Sequence, residues 1–129
     1  MPRVLVVDDD PDVAAALTDV LTLEGYTVTV ASDGPEALEQ VKEARPDVVL
    51  LDVKLPTMNG LEVLVCLRSL APEVGVVMVS GIYDEGTIRA ALTLGAIDYL
   101  VKPIKLQDLE RSMKDSLARR PLVNSVPLE

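Results

Sequence analysis

Histidine, phenylalanine and tryptophan are absent from the 129 residues, tyrosine occurs three times and cysteine once. Without histidine the chain has no imidazole for a zinc site, for a Ser/His or Cys/His nucleophile pair, or for general base work, so any histidine chemistry must come from a partner. Three tyrosines alone give little aromatic surface on which a flavin or nucleobase can stack. A single cysteine excludes a disulfide within the chain, and Cys66, set among apolar residues at helical spacing, reads as a small buried hydrophobe. Long apolar runs are missing too. The longest, such as Val4–Val7 and Val76–Val79, fall far short of the roughly 20 residues that cross a bilayer, so no membrane span is expected. Met1-Pro2-Arg3 leads straight into an apolar run that ends in aspartates, unlike a secretory signal, and a cytoplasmic address is expected. Positive charge is scarce: 12 Lys and Arg face 21 Asp and Glu, a formal charge of −9. That balance argues against a phosphate-backbone partner, so no direct nucleic-acid binding by this chain is expected.

The apolar fraction of 49% suffices for the buried core of one domain. Apolar runs recur at Val4–Val7, Val48–Leu51, Val76–Val79 and Tyr99–Val101, separated by segments with helical periodicity. Val13, Leu17, Val20 and Leu21 share one helix face; so do Leu38 and Val41; Leu61, Leu64 and Val65; Ile88, Ala91 and Leu92; and Leu106, Leu109, Met113 and Leu117. Thr27-Val28-Thr29-Val30 alternates, as suits a half-covered edge strand. Asp10-Pro11 reads as a helix cap and first-turn proline, while Gly25 and Gly95 sit where left-handed helix stops are expected. Five strands alternating with five helices predict an α/β, flavodoxin-like doubly wound domain, its parallel sheet ordered 2-1-3-4-5, over residues 1–119. The tail 120–129, with Pro121 and Pro127 and no periodicity, reads as linker or disordered end.

Polar groups close these strand runs: Asp8 and Asp9 after the first, Asp52 after the third, Ser80 after the fourth and Lys102 after the fifth. In an open parallel sheet all such ends share one edge, and ligands bind where the strand order reverses, between strands one and three. Three carboxylates brought together there repel one another, and a cation relieves the repulsion. Carboxylate oxygens suit a hard ion, Mg²⁺ first and Mn²⁺ as an alternative. A carboxylate, a divalent ion, an ammonium and a hydroxyl in one crevice are the parts that pass a phosphoryl group.

The chain resembles a receiver domain of a two-component response regulator over about residues 3 to 118. The likeness rests on Val6-Val7-Asp8-Asp9-Asp10, on Leu51-Asp52-Val53-Lys54-Leu55-Pro56-Thr57-Met58-Asn59-Gly60, on Ser80-Gly81, and on Gly95-Ala96-Ile97-Asp98-Tyr99-Leu100-Val101-Lys102-Pro103, all in order. The resemblance implies that Asp52 is the phosphoacceptor, Asp9 a direct Mg²⁺ ligand and Asp8 a support for the metal largely through water. It implies that Asp52 also touches the metal and that the carbonyl of Lys54 completes the protein ligands. Ser80 would bond a phosphoryl oxygen, Lys102 would pair with the phosphoryl group, Tyr99 would turn inward after Ser80, and Lys102-Pro103 would be a cis bond. The implied function is a phosphorylation-dependent switch, a phosphoprotein that assists its own phosphorylation but is no turnover enzyme. Its implied partners are a sensor histidine kinase or histidine phosphotransfer protein upstream and an effector protein or domain downstream. The face of helix four, strand five and helix five would change on phosphorylation and offers a route to a homodimer. Gly81, where the family usually has alanine, would loosen the loop to helix four.

Two other chemistries fit less well. A Mg²⁺-dependent phosphohydrolase needs an acid/base carboxylate two residues beyond its nucleophile, where Lys54 stands. A flavodoxin-type electron carrier needs a Ser/Thr-rich phosphate loop where three aspartates stand. A receiver that only makes contacts is disfavoured because each chemical position is filled.

Overall fold

The computed structural model describes residues 1–119, and the expected tail at 120–129 lies outside the described residues. Elements alternate strictly: β1 (Arg3–Val7), α1 (Pro11–Leu23), β2 (Thr27–Ala31), α2 (Gly34–Glu43), β3 (Val48–Leu51), α3 (Gly60–Leu70), β4 (Gly75–Ser80), α4 (Glu85–Thr93), β5 (Asp98–Val101) and α5 (Leu106–Arg119). The strands form one parallel sheet in the expected order, β2-β1-β3-β4-β5.

Strand alternation divides the apolar side chains between two faces. Leu5 and Val7, Val49 and Leu51, Val76 and Met78 face α2, α3 and α4; Val4 and Val6, Val48 and Leu50, Val77 and Val79 face α1 and α5. A strand covered on both sides gains from continuous apolar residues, and every residue of β3 and β4 is buried. Each such Val or Leu contributes about 1.5–3 kcal/mol of transfer free energy. The edge strand β2, placed at the edge as its alternating pattern implied, is different: of its five residues Ala31 alone is buried, and Val30 is exposed.

Helix boundaries follow from short-range chemistry. Asp10, Asp33 and Asp84 accept main-chain hydrogen bonds at the starts of α1, α2 and α4, and Asn59 with Glu62 forms a capping box at α3. Asp10 is thus the cap that the sequence suggested. Gly25 and Gly95 adopt φ of 96° and 111°, the left-handed region that ends a helix at little cost for glycine. Some apolar periodicity points outward instead: Val65, Leu92 and Leu106 are exposed, and Cys66 is only partly buried. On α3 the deeper stripe is Val63, Leu64 and Leu67, because the sheet covers one side of the helix and leaves the rim of its apolar face open. Among the described residues no helix is long and apolar enough to cross a membrane.

Candidate functional site

The sheet ladder reaches past the strand ends and fixes the polar residues there. Asp8 N donates to Ala31 O, Asp52 N to Val7 O at 3.0 Å, and Lys102 N to Ser80 O at 2.9 Å. Strand β1 is the reversal point, with β2 on one side and β3 on the other. At that edge a crevice of about 640 Å³ is lined by Asp8, Asp9, Asp10, Asp52, Lys54, Leu55, Pro56, Ser80, Gly81, Ile82 and Lys102. All the sequence-selected polar residues except Tyr99 therefore meet in one place, and Tyr99 stands just behind it.

Asp8 and Asp52 are buried at 3% and 6% exposure, whereas Asp9 is open to solvent. One ligand oxygen from each of the three lies within 4.8 Å of the others. The Lys102 ammonium joins two of them, donating to Asp8 Oδ2 at 2.8 Å and to Asp52 Oδ2 at 2.9 Å. The second oxygen of Asp8 accepts from Asp10 N at 2.9 Å, and that of Asp52 from Lys54 N at 3.3 Å. Burial pushes the Asp8 carboxyl above its ordinary range, with Asp52 nearby adding to the effect and the bonds from Lys102 and Asp10 N opposing it. Burial alone would lower the Lys102 ammonium, but its hydrogen bonds to Asp8 and Asp52 outweigh that and raise it, so it stays a cation.

One ammonium against three carboxylates leaves two formal negative charges at the crevice. The donor set fits a hard divalent ion: all oxygen, closely spaced, and with Asp9 open to solvent. The same arrangement makes Lys102 the counter-ion of the metal-free fold. Lys102→Met leaves the buried Asp8 and Asp52 facing each other without a cation. In chelator this variant is expected to lose about 3 kcal/mol of stability in urea melts, the usual cost of breaking a buried pair from one side. Mg²⁺ is expected to restore part of that loss.

Ser80 ends β4 with its side chain fully buried, and its Oγ accepts from Ile82 N at 3.1 Å. The Tyr99 hydroxyl donates to Ile82 O and neighbours the Ser80 hydroxyl. Burial raises the Tyr99 phenol above its ordinary value, with the hydrogen bond to Ser80 opposing the effect. The Lys102–Pro103 peptide bond is cis. Sequence reasoning missed the contact of Tyr99 with the Ile82 carbonyl, since nothing in a main-chain acceptor is visible in a side-chain motif. It also missed the close approach of Gly60 to the main chain of Asp52 and Val53, where Gly60 N donates to Val53 O. A glycine at the first position of a helix, where side chains are favoured, was the available signal.

A doubly wound sheet with an acid crevice at its reversal point defines a class of α/β domains that hold their ligands at the carboxyl ends of the strands. The comparison with known families is specific: residues 4–114 match the model of the response regulator receiver domain. The chain belongs to that family. It is 44% identical over 119 residues to the transcriptional regulatory protein PrrA of Mycobacterium leprae, covering 92% of this chain and 51% of that protein. It is also 44% identical over 117 residues to the DNA-binding response regulator MtrA of Mycolicibacterium smegmatis, covering 91% and 51%. The chain thus spans about half the length of these curated relatives. Among solved structures it superposes on a CheY-like receiver domain protein from Methanospirillum hungatei with TM-score 0.87 at 32% identity, covering 92% of this chain and 94% of that one. The receiver domain of NtrX from Brucella abortus gives 0.86 at 32%, covering 90% and 98%.

Proposed function

We propose that this receiver domain is the phosphorylation-dependent switch of a two-component system and that Asp52 is its phosphoacceptor. The observation that carries the reading is the convergence of Asp8, Asp9 and Asp52 with the Lys102 ammonium between two of them. An Asp52 oxygen attacks phosphorus while the bond to the donor breaks, and the donor's electron pair leaves with an imidazole nitrogen. This chain has no histidine, so the donor is the phosphohistidine of a sensor kinase or phosphotransfer protein. Asp8, Asp9, Asp52 and the carbonyl of Lys54 are the groups that would hold Mg²⁺, with Mn²⁺ an alternative, and the ion would supply neutralisation of charge on the transferring oxygens. Lys102 already touches the acceptor and follows the phosphoryl group, exchanging carboxylate partners for phosphoryl oxygens. The Ser80 hydroxyl, which lies against the Tyr99 hydroxyl, turns to donate to another.

The added dianion biases an equilibrium between two arrangements of the loop after Ser80, and Tyr99 moves with that loop. The readout is the face of α4, β5 and α5, where Leu92, Leu94, Val101 and Leu106 are exposed and available to an effector or a second copy. An effector that binds DNA is consistent with relatives named as DNA-binding regulators. The acidic receiver itself is not the nucleic-acid contact, and a cytoplasmic site of action fits this chemistry. The domain assists its own phosphorylation and is not a turnover enzyme.

Intact mass after incubation with acetyl phosphate tests the reading. A gain of about 80 Da that requires Mg²⁺ is expected, and borohydride reduction of the product should convert residue 52 to homoserine. Absence of the gain, or a modified residue elsewhere, overturns Asp52 as acceptor.

A further inference from the structure

The connection from Asp52 to α3 carries the pair Asn59-Gly60, and nowhere else in the chain does an asparagine precede a glycine. Glycine places no side chain between its own nitrogen and the neighbouring side-chain amide, so such a pair is chemically the least shielded an asparagine can have. Here it starts α3, and four hydrogen bonds hold it. Leu61 N donates to Asn59 Oδ1 at 2.7 Å, Asn59 N to Glu62 Oε1 at 3.0 Å, Gly60 N to Val53 O at 2.7 Å and Val63 N to Asn59 O at 3.1 Å. The third of these occupies the nitrogen that would attack, and the first turns the amide carbonyl toward the helix. Yet Asn59 is exposed to solvent. Thr57, two residues earlier, sits at φ 72°, a conformation that disfavours a β-branched side chain. The segment is pinned at its helix end and strained just before it.

We propose that Asn59 is a site of covalent self-modification, losing its side-chain amide to Gly60 N when the first turn of α3 opens, and that the isoaspartyl product disconnects α3 from the acceptor. The Gly60 nitrogen gives its proton to hydroxide and bonds to Asn59 Cγ. The bond from Cγ to the amide nitrogen breaks, and ammonia leaves with that electron pair and a proton from water. The five-membered imide then takes up water. Cleavage of its bond at Cγ leaves aspartate in an unaltered main chain. Cleavage at the main-chain carbonyl carbon routes the chain through Cβ and Cγ and leaves isoaspartate. Aspartate caps a helix as asparagine does and places negative charge at the favourable end. Isoaspartate lengthens the main chain by one methylene beside a glycine on which a Cβ would already stand 2.0 Å from Asp52 O. With no slack to absorb it, Gly60 N leaves Val53 O and the Asp52 carboxylate shifts relative to Lys102. The effect on phosphoryl uptake rests on Asp52 being the acceptor; the modification itself does not.

The test ages the protein in warm, mildly alkaline buffer and follows the tryptic peptide Leu55–Arg68, which separates Asn59 from Asn124, the other asparagine. A gain of about 1 Da marks loss of the amide, and methylation by an isoaspartyl methyltransferase marks the isoaspartate. The rate follows the population of the open turn. Glu62→Ala removes one of the four bonds and is expected to modify about five-fold faster, the scale of one capping contact. The urea-unfolded chain is expected to be faster still. Asn59→Asp, the mimic of the harmless product, is expected to keep the wild-type urea midpoint and the wild-type phosphoryl uptake from acetyl phosphate. The aged fraction that carries isoaspartate is expected to show a lower midpoint and slower uptake. Equal rates in native, Glu62→Ala and unfolded protein, or no gain in that peptide even in urea, overturn the site. Isoaspartyl protein that unfolds and loads as the wild type does overturns the disconnection. Failure of the wild type to load overturns the acceptor reading alone, and the urea midpoint then decides the disconnection.

Discussion

Asp52→Asn takes up no phosphoryl group from acetyl phosphate at any Mg²⁺ concentration, and its metal-free form melts at or above the wild-type temperature. The two halves of this expectation have different causes. Uptake fails because a carboxamide is a poor nucleophile, and two neighbouring carboxylates are engaged elsewhere: Asp8 by Lys102 and Asp10 N, Asp10 by the start of α1. Stability is kept because Asp52 is one of three carboxylates served by a single ammonium. Removing its charge reduces the excess from two negative charges to one, and Lys102 retains Asp8 as partner at 2.8 Å. Asp8 also benefits, since the field of Asp52 is among the causes that raise its pKa. Binding of Mg²⁺ stabilises only as far as it prefers the folded form, so the variant is expected to show a smaller rise in melting temperature on adding Mg²⁺. Thermal melts in EDTA and in Mg²⁺ check both. A clear loss of melting temperature in EDTA would mean that Asp52 acts chiefly as an ion-pair partner of Lys102 rather than as a member of a repelling cluster.

The contrast with Lys102→Met makes the electrostatic argument sharper. Both changes remove one charge from the same ion pair, yet opposite signs are expected in chelator. Loss of the lysine strands two buried carboxylates; loss of Asp52 relieves one. An uncharged reading of the crevice, in which these side chains merely fill space, predicts the same sign for both.

Most of the architecture was legible because the sheet is covered on both sides. Continuous apolar runs such as Val48–Leu51 have no amphipathic alternative, and alternation at Thr27–Val30 has no interior one, so strand type and sheet position could be read together. The grouping of Asp8, Asp9, Asp52, Ser80 and Lys102 followed from topology, since parallel strands end on one edge. What escaped the sequence is set by main-chain geometry and long-range packing. Thr57 adopts φ of 72°, with Met58 N donating to Pro56 O at 2.7 Å. A β-branched residue is disfavoured there by roughly 1–2 kcal/mol, so no turn rule would select it. Arg68 lies in the last turn of α3. Its guanidinium donates to Val74 O, and burial lowers its pKa. Asp98, the first residue of β5, accepts from Ser112 of α5. In each case the deciding partner is remote in sequence or is a carbonyl, and neither leaves a periodic trace.

Gly60→Ala is expected to damage fold and switch together, because the glycine is what lets α3 begin against the acceptor's own backbone. A Cβ at residue 60 would stand 2.0 Å from Asp52 O and 2.7 Å from Val53 Cα. Both are main-chain atoms of the segment that carries the nucleophile, and Gly60 N already donates to Val53 O at 2.7 Å. No side chain can rotate away to make room. Alanine's better helix propensity returns at most about 1 kcal/mol, against an overpacking cost on the order of 3 kcal/mol or more. The clash wins, and the urea midpoint of Gly60→Ala should fall well below that of the wild type. Whatever fraction stays folded must shift the Asp52 carbonyl, moving the carboxylate relative to Lys102 Nζ and slowing phosphoryl uptake. Gly81→Ala, at a glycine that lines the crevice itself, is the control. It meets nothing within 4 Å and needs no positive φ, so it should be as stable as the wild type or gain about 0.4–1 kcal/mol through its less flexible unfolded chain. Equal urea midpoints for the two variants would show that the β3–α3 connection yields to a methyl group. Asp52 would then be positioned by its β-ladder bond to Val7 O rather than by the start of α3.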